Sequence, residues 1–379
     1  MYRFPNLLAW LAFAAGTSLG WNHTDGDVLK AALHTVSHTN DVVLVAFVAP
    51  SEPKSQALEK EWLLAVSDTK IPLRSIDCEA ESRLCAELMI ESYPTLKLFE
   101  KADSGYASTT YLGPRRASGI LSYMSRMSRP IVTDVEPGSL DTFKIADETV
   151  FIGHISATDT AARQAFAEVA EKYREEFTFG LVSGESESPT VECYIVEDGE
   201  ARSLNSYSEA GALDEFVIKV SRPIIGELTQ YNQQRLLDRG WPMVYIFAET
   251  EEDRAKLRES LRGFAKGYYD SLTCVTVDPL EFPDLQVKMG LEPGIYPSGA
   301  VHQLSKERIY PYPRGLPLES RSLQKWGLDV WQGRVKPWTP PGMTTMHDED
   351  PGPTRVAKRK LSIANLPGVK MQVAGHDEL

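Results

Sequence analysis

The chain has 379 residues, with 53 acidic and 40 basic side chains, 42% hydrophobic residues and four cysteines. A formal charge of −13 excludes a general nucleic-acid binder, which needs a basic face to displace counterions from phosphates. Ordinary apolar and charged fractions exclude wholesale disorder, and so few cysteines exclude a disulfide-stapled mini-domain scaffold.

Residues 1–20 open with one basic residue, Arg3, followed by Leu7 to Ala15 almost without a polar atom, then small residues at Ser18 and Gly20. This reads as a secretory signal peptide cleaved after Gly20. Its apolar run is about half of the ~20 residues a membrane span needs, and no later stretch reaches that length, so no membrane span is expected. Asn22-His23-Thr24 is a glycosylation sequon close to the cut.

Val42 to Val48 is a continuous β-favouring run followed by Pro50, the pattern of a strand buried on both faces. Leu58, Trp62, Leu63 and Val66 then recur at helical spacing. Leu73–Ile76 predicts a second strand, Arg83–Met89 a helix, Tyr93–Phe99 a strand entered through Pro94, and Gly119–Met127 a helix. His34 and His38 are spaced i, i+4, but no acidic or thiol partner accompanies them, so they read as an exposed helix face.

The same pattern recurs twice. Strands are predicted at Thr149–Ile155, Phe177–Val182 and Pro189–Val196, with a helix over Ala161–Tyr173. Strands follow at Pro242–Ala248, Leu272–Val277 and Ala300–Leu304, the last led by Tyr296-Pro297, with a helix over Thr250–Lys266. Three copies of strand, helix, strand and proline-led strand predict a tandem α/β repeat of mixed sheets flanked by helices. The expected units are 21–129, 130–222 and 223–336, about 105 residues each, a common domain size.

Residues 337–379 are rich in Pro and Gly and lack a periodic apolar face, which predicts a disordered tail. Arg355, Lys358, Arg359 and Lys360 within it read as a solvated basic patch. The chain ends His376-Asp377-Glu378-Leu379, an endoplasmic reticulum (ER) retention signal read by a retrieval receptor. With the leader it addresses the chain to the ER lumen, an oxidising compartment.

At Phe47-Val48-Ala49-Pro50, Ser92-Tyr93-Pro94-Thr95-Leu96, Tyr111-Leu112-Gly113-Pro114-Arg115, Pro223–Glu227 and Pro242–Glu249 the chain resembles the protein disulfide isomerases, strings of thioredoxin-fold domains in the ER. The resemblance spans about 23–335 and implies tandem thioredoxin-like domains in the order a, b, b′, with Pro94 as a cis-proline. In the family's catalytic domains the first strand runs into Cys-x-x-Cys at a helix N-terminus, where the helix dipole lowers the nucleophile's pKa. Here Glu52-Pro53-Lys54-Ser55 stands in that place, Glu52 for the nucleophilic cysteine and Ser55 for the resolving one. Ala46 stands where the family keeps a buried proton-transfer acid, and Arg115 matches the arginine that tunes the resolving thiol. The resemblance therefore implies a redox-inactive first domain, with Ala46, Glu52, Pro53, Lys54, Ser55 and Arg115 as vestiges of a catalytic site. It also implies a structural disulfide between Cys78 and Cys85, whereas Cys193 and Cys274, alone in separate predicted strands, are expected to be buried free thiols.

In the family the b′ domain holds unfolded substrate in an apolar groove. Thr250-Glu251-Glu252-Asp253 predicts a capped helix start, after which Leu257, Leu261, Phe264 and Tyr268 share one face. Leu257 reads as core. By the resemblance, Leu261 and Leu272 fall at pocket positions and Phe264 and Tyr268 at the rim, giving a substrate-binding set. No cofactor and no metal site are expected. The leading expectation is an ER-lumenal, non-catalytic protein that assists folding by binding unfolded or partly folded secretory proteins. Its other partners would be the retrieval receptor and further ER folding factors. The alternatives are weak isomerase activity through noncanonical cysteines, and an adaptor for one ER partner.

Overall fold

The computed structural model describes residues 20–36, 38, 42–68, 72–183, 188–205, 207 and 211–340. The leader up to Ser18-Leu19, the basic patch and the retention sequence His376–Leu379 lie outside the described residues.

The first segment runs α1 (Gly26–Val36), β1 (Val43–Val48), α2 (Pro53–Asp68), β2 (Leu73–Asp77), α3 (Ser82–Glu87), β3 (Thr95–Lys101), β4 (Tyr106–Thr110) and α4 (Ala117–Met127). Its sheet has the order β2-β1-β3-β4; β1 is parallel to β2 and antiparallel to β3. Successive side chains of a strand face opposite ways. Leu44, Ala46 and Val48 therefore join Leu58 and Trp62 of α2 and Ile120, Tyr123 and Met124 of α4 in one core. Val43, Val45 and Phe47 join Leu29 and Leu33 of α1 and Leu84 of α3 in another. A strand covered on both faces has no solvent side, which explains its unbroken apolar sequence.

Helix α2 departs from the predicted stripe. Its buried positions are Ser55, Leu58, Trp62 and Ala65, while Val66 is exposed and Leu63 only half-buried. Only the face toward β1 is covered, and that face tracks i, i+3, i+7 and i+10. The edge strand β4 was not predicted; its largely exposed Tyr106–Thr110 carries no apolar run to announce it.

The second segment runs β5 (Thr133–Asp134), α5 (Leu140–Phe143), β6 (Thr149–His154), α6 (Thr160–Tyr173), β7 (Thr178–Val182), β8 (Thr190–Ile195), β9 (Glu200–Asn205) and α7 (Ala212–Val220). The third runs β10 (Gly226–Glu227), α8 (Gln233–Asp238), β11 (Met243–Phe247), α9 (Glu251–Gly267), β12 (Thr273–Val277), α10 (Leu285–Lys288), β13 (Ser298–Gln303), β14 (Arg308–Pro311) and α11 (Ser320–Trp331). Their sheets, β5-β7-β6-β8-β9 and β10-β12-β11-β13-β14, repeat the plan of the first and add one short outer strand. Tyr93–Pro94 and Tyr296–Pro297 are cis. Helix α9 begins as its sequence predicts: Thr250 Oγ1 accepts a hydrogen bond from the Asp253 backbone N at 3.2 Å, with three acids in the first turn.

Pro337 and Trp338, expected in the tail, belong to the compact unit. The Trp338 backbone N donates to the Ile309 carbonyl at 2.7 Å in an antiparallel bridge to β14. The indole packs on Gly290, where a Cβ would stand only 2.5 Å from it. The compact unit ends at Trp338.

Candidate functional site

Where β1 ends, the chain turns through Ala49 and Pro50 into α2. The Glu52 backbone N donates to the Ala49 carbonyl at 2.9 Å, and the Glu52 carbonyl accepts from Ser55 N at 3.0 Å and Gln56 N at 3.1 Å. Glu52 is exposed, Lys54 half-buried and Ser55 fully buried, its Oγ accepting from Ala49 N at 3.2 Å. Ser51 is tied to Glu79 by its backbone N at 3.1 Å and by its hydroxyl. Ala46 is buried between Ser75 and Leu96 of the neighbouring strands. Phe47 pairs with Thr95, so the buried Pro94 lies at the same end of the sheet. Ala46, Glu52, Pro53, Lys54, Ser55 and Pro94 thus gather at one sheet end, where the groups on offer are a carboxylate, an ammonium and a sequestered hydroxyl. Arg115 acts elsewhere: its charge bears on the carboxyl of Glu281 in the third segment.

Cys78, just beyond β2, is bonded to Cys85 on α3, with Cα atoms 5.8 Å apart and both residues buried. Closing so short a loop is worth about 2–3 kcal/mol in the chain-entropy picture. Cys193 on β8 and Cys274 on β12 are free and buried in different sheets. Burial pushes each thiol up to about 12, so neither supplies a thiolate near neutral pH.

Of the groove expected along α9, the structure corrects one member, Leu261. Leu261 is 0% exposed and belongs to a core with Val244, Ile246, Leu323, Trp326 and Val330. Helix α11 lies over that face of α9, with Ser320 Oγ donating to the Ser260 carbonyl at 2.8 Å. Leu323 and Trp326 of α11 share that core, so Leu261 offers no surface to a substrate. Phe264 and Leu272 remain half-buried against that core, and the half-buried Tyr268 has its ring centroid 5.1 Å from that of Phe264. Leu257, read as core, packs against the same cluster from a half-buried position.

A cleft of about 1350 Å³ opens among the three segments. Three aliphatic side chains that line it are well exposed: Ile145 (68%), Val196 (47%) and Ile218 (39%). Ion pairs join the segments around it. Arg116 donates to Glu227 through Nε at 2.9 Å and to Glu148 through Nη1 and Nη2 at 2.7 and 2.8 Å. Arg126 reaches Asp147 at 2.8 Å, and Arg235 makes a two-pronged bond to Glu176 at 2.7 and 2.8 Å. Burial opposes the charge on Glu148, yet Arg116 holds its carboxyl below the ordinary value. Burial pushes Glu227 up against the pull of Arg116, and pushes Glu281 up to about 8, with Glu227 and Asp278 adding to the effect and Arg115 opposing it. Sequence reading missed this network, because the partners of Arg116 lie 32 and 111 residues away and carry no local mark. Among the described residues no group of three or more His, Cys, Asp or Glu is placed to hold a metal.

A mixed sheet clothed by helices, repeated three times with a cis-proline entering the first and third, defines a chain of thioredoxin-like domains. Residues 29–126 match the thioredoxin family and residues 155–327 the thioredoxin-like domain family. The chain is 31% identical over 308 residues to the protein disulfide-isomerase of Aspergillus oryzae, covering 79% of this chain and 59% of that one. It is 30% identical over 343 residues to that of Aspergillus niger, covering 86% and 66%. Among solved structures, human ERp44 form II is matched at 16% identity and a TM-score of 0.36, over 80% of this chain and 86% of that one. The chain belongs to the protein disulfide isomerase family, and it spans 59% and 66% of the length of the two relatives described. Among the described residues, no helix is long and apolar enough to cross a membrane.

Proposed function

We propose that this protein resides in the ER lumen and assists folding by binding unfolded chains, without thiol–disulfide chemistry of its own. The observation that carries the reading is Ser55. Disulfide exchange needs an attacking thiolate and a second thiol to resolve the mixed disulfide. The position of the second is a buried hydroxyl bonded to Ala49 N, and the position of the first is the Glu52 carboxylate. The other thiols are either bonded to each other or sealed in separate sheets. In this reading the units are 21–129, 130–222 and 223–336, and the ER address rests on the leader sequence and His376–Leu379.

The cleft suits such a role better than the filled face of α9. Exposed Ile145, Val196 and Ile218 offer apolar contacts to extended chains of varied sequence. The test is a pair of assays. Insulin reduction should stay at the uncatalysed rate, while aggregation of unrelated reduced clients is suppressed at near-stoichiometric amounts. Insulin reduction above the blank would establish the isomerase reading in its place, and binding to a single folded partner without suppression would establish the adaptor.

A further inference from the structure

We propose that the junction of the first and second segments holds one small monoatomic anion, chloride by class, among Arg126, Arg129, Thr133 and Arg174. These four residues line a small pocket of about 10 Å³ together with Pro130, Ile131, Phe177, Thr178 and Phe179. Arg126 Nε, Arg129 Nη1, Arg174 Nε and Thr133 Oγ1 are each shut off from solvent and have no hydrogen-bond partner among the described residues. Buried polar atoms are ordinarily paired, so four orphans around one void mark something that accepts from them.

The neighbouring acceptors are already engaged. Asp147 takes Arg126 Nη1 at 2.8 Å and Thr178 Oγ1 at 2.7 Å on one oxygen, and Glu148 N at 2.7 Å on the other. Arg174 Nη2 reaches the Met127 carbonyl only at 3.5 Å. Three guanidinium groups, charged at any physiological pH, thus line the pocket, and Asp147 is hydrogen-bonded to one of them, Arg126. The Arg126 side chain is only 9% exposed, which leaves little water to screen the imbalance.

Size and valence then select the occupant. The pocket has room for about one water-sized sphere, which favours a monoatomic ion over phosphate, sulfate or a carboxylate. A water molecule has two lone pairs, fewer than the three N–H donors on offer, and carries no charge. A halide is only slightly larger, accepts from every direction and offsets the excess positive charge. Bound there, it ties the end of α4 to β5 and β7 and so helps fasten the first segment to the second.

The test uses the full chain. Thermal unfolding is followed as sodium gluconate is exchanged for sodium chloride at constant ionic strength, with bromide as a heavier probe. Chloride should raise the melting temperature saturably, and Arg129→Gln and Arg174→Gln should each remove most of that rise. Crystals soaked in bromide should show an anomalous peak among the three arginines. Identical melting in the two salts, an equal chloride effect in wild type and both variants, or an ordered water with no bromide at the void would each overturn the proposal. The bromide experiment needs no variant, so it decides the matter even where a substitution fails to fold.

Discussion

Arg116 and Glu227 stand 111 residues apart in sequence and 2.9 Å apart in the fold, and the same guanidinium also clasps Glu148. One side chain of the first segment therefore contacts both of the others. Removing Arg116 leaves the buried Glu227 with only the longer 4.0 Å pair to Arg254 and strips Glu148 of its two-pronged partner, a cost of about 1–3 kcal/mol. Arg116→Gln should lower the melting temperature clearly. Small-angle scattering should show a larger radius of gyration while the helical circular dichroism signal persists. An unchanged radius would mean that the segments are held without this contact.

Glu281 is expected to make the protein less stable as pH rises. Folded, its carboxyl keeps its proton up to about pH 8; unfolded, it loses the proton near the ordinary value of 4.5. Between those values the unfolded chain has lost a proton that the folded chain still holds, so stability falls with rising pH, and the loss is complete above pH 8. Glu281→Gln should remove this slope and raise the melting temperature at pH 8 by about 2–4 °C or more. A variant with the same pH–stability curve as wild type would show that Glu281 titrates normally.

Restoring the dithiol tests what the start of α2 lacks. Glu52→Cys with Ser55→Cys should yield measurable insulin reduction. Without a proton-transfer acid, as Ala46 leaves it, the rate should remain about 100-fold below that of a family enzyme. Adding Ala46→Glu should recover part of the gap, if the fully buried site accepts the carboxyl.

The corrected core of the third segment separates two leucines. Leu261→Ala should cost about 2–5 kcal/mol, because the residue is fully enclosed beneath α11, and Leu261→Asp should unfold the segment. Leu257→Asp, at a half-buried position, should be much milder. Denaturant titration followed by tryptophan fluorescence, with Trp326 in the same core, would reveal the reverse order if α11 did not cover this face.

If the cleft binds unfolded chains, Ile218→Asp should weaken peptide affinity by about tenfold, the worth of one large apolar contact, while melting stays near wild type. Fluorescence anisotropy with a labelled unfolded peptide reads the change. Equal affinity in the variant would remove Ile218 from the binding surface.

The strands buried on both faces were legible in the sequence, because Val43–Val48 and Met243–Phe247 have no polar side and so leave unbroken apolar runs. The start of α9 was legible too, since a threonine cap and three acids act within one turn. Edge strands such as β4 left no such mark, being exposed and polar. Leu261 was placed at a pocket by the family resemblance, which does not report what covers that face in this chain. Here the cover is α11, some sixty residues later. The Arg116 junction is a property of three segments meeting, and no window of local sequence contains it.

Trp338 has a bearing on how the molecule meets its own kind. A sheet's outermost strand offers unpaired amide and carbonyl groups that can recruit a strand from another molecule. By bridging Ile309 and resting on Gly290, Trp338 occupies part of that offer on β14. A chain cut short before Trp338 should therefore self-associate in a concentration-dependent way. In a protein proposed to work among sticky, half-made polypeptides, that single tryptophan acts as a guard against becoming one of them.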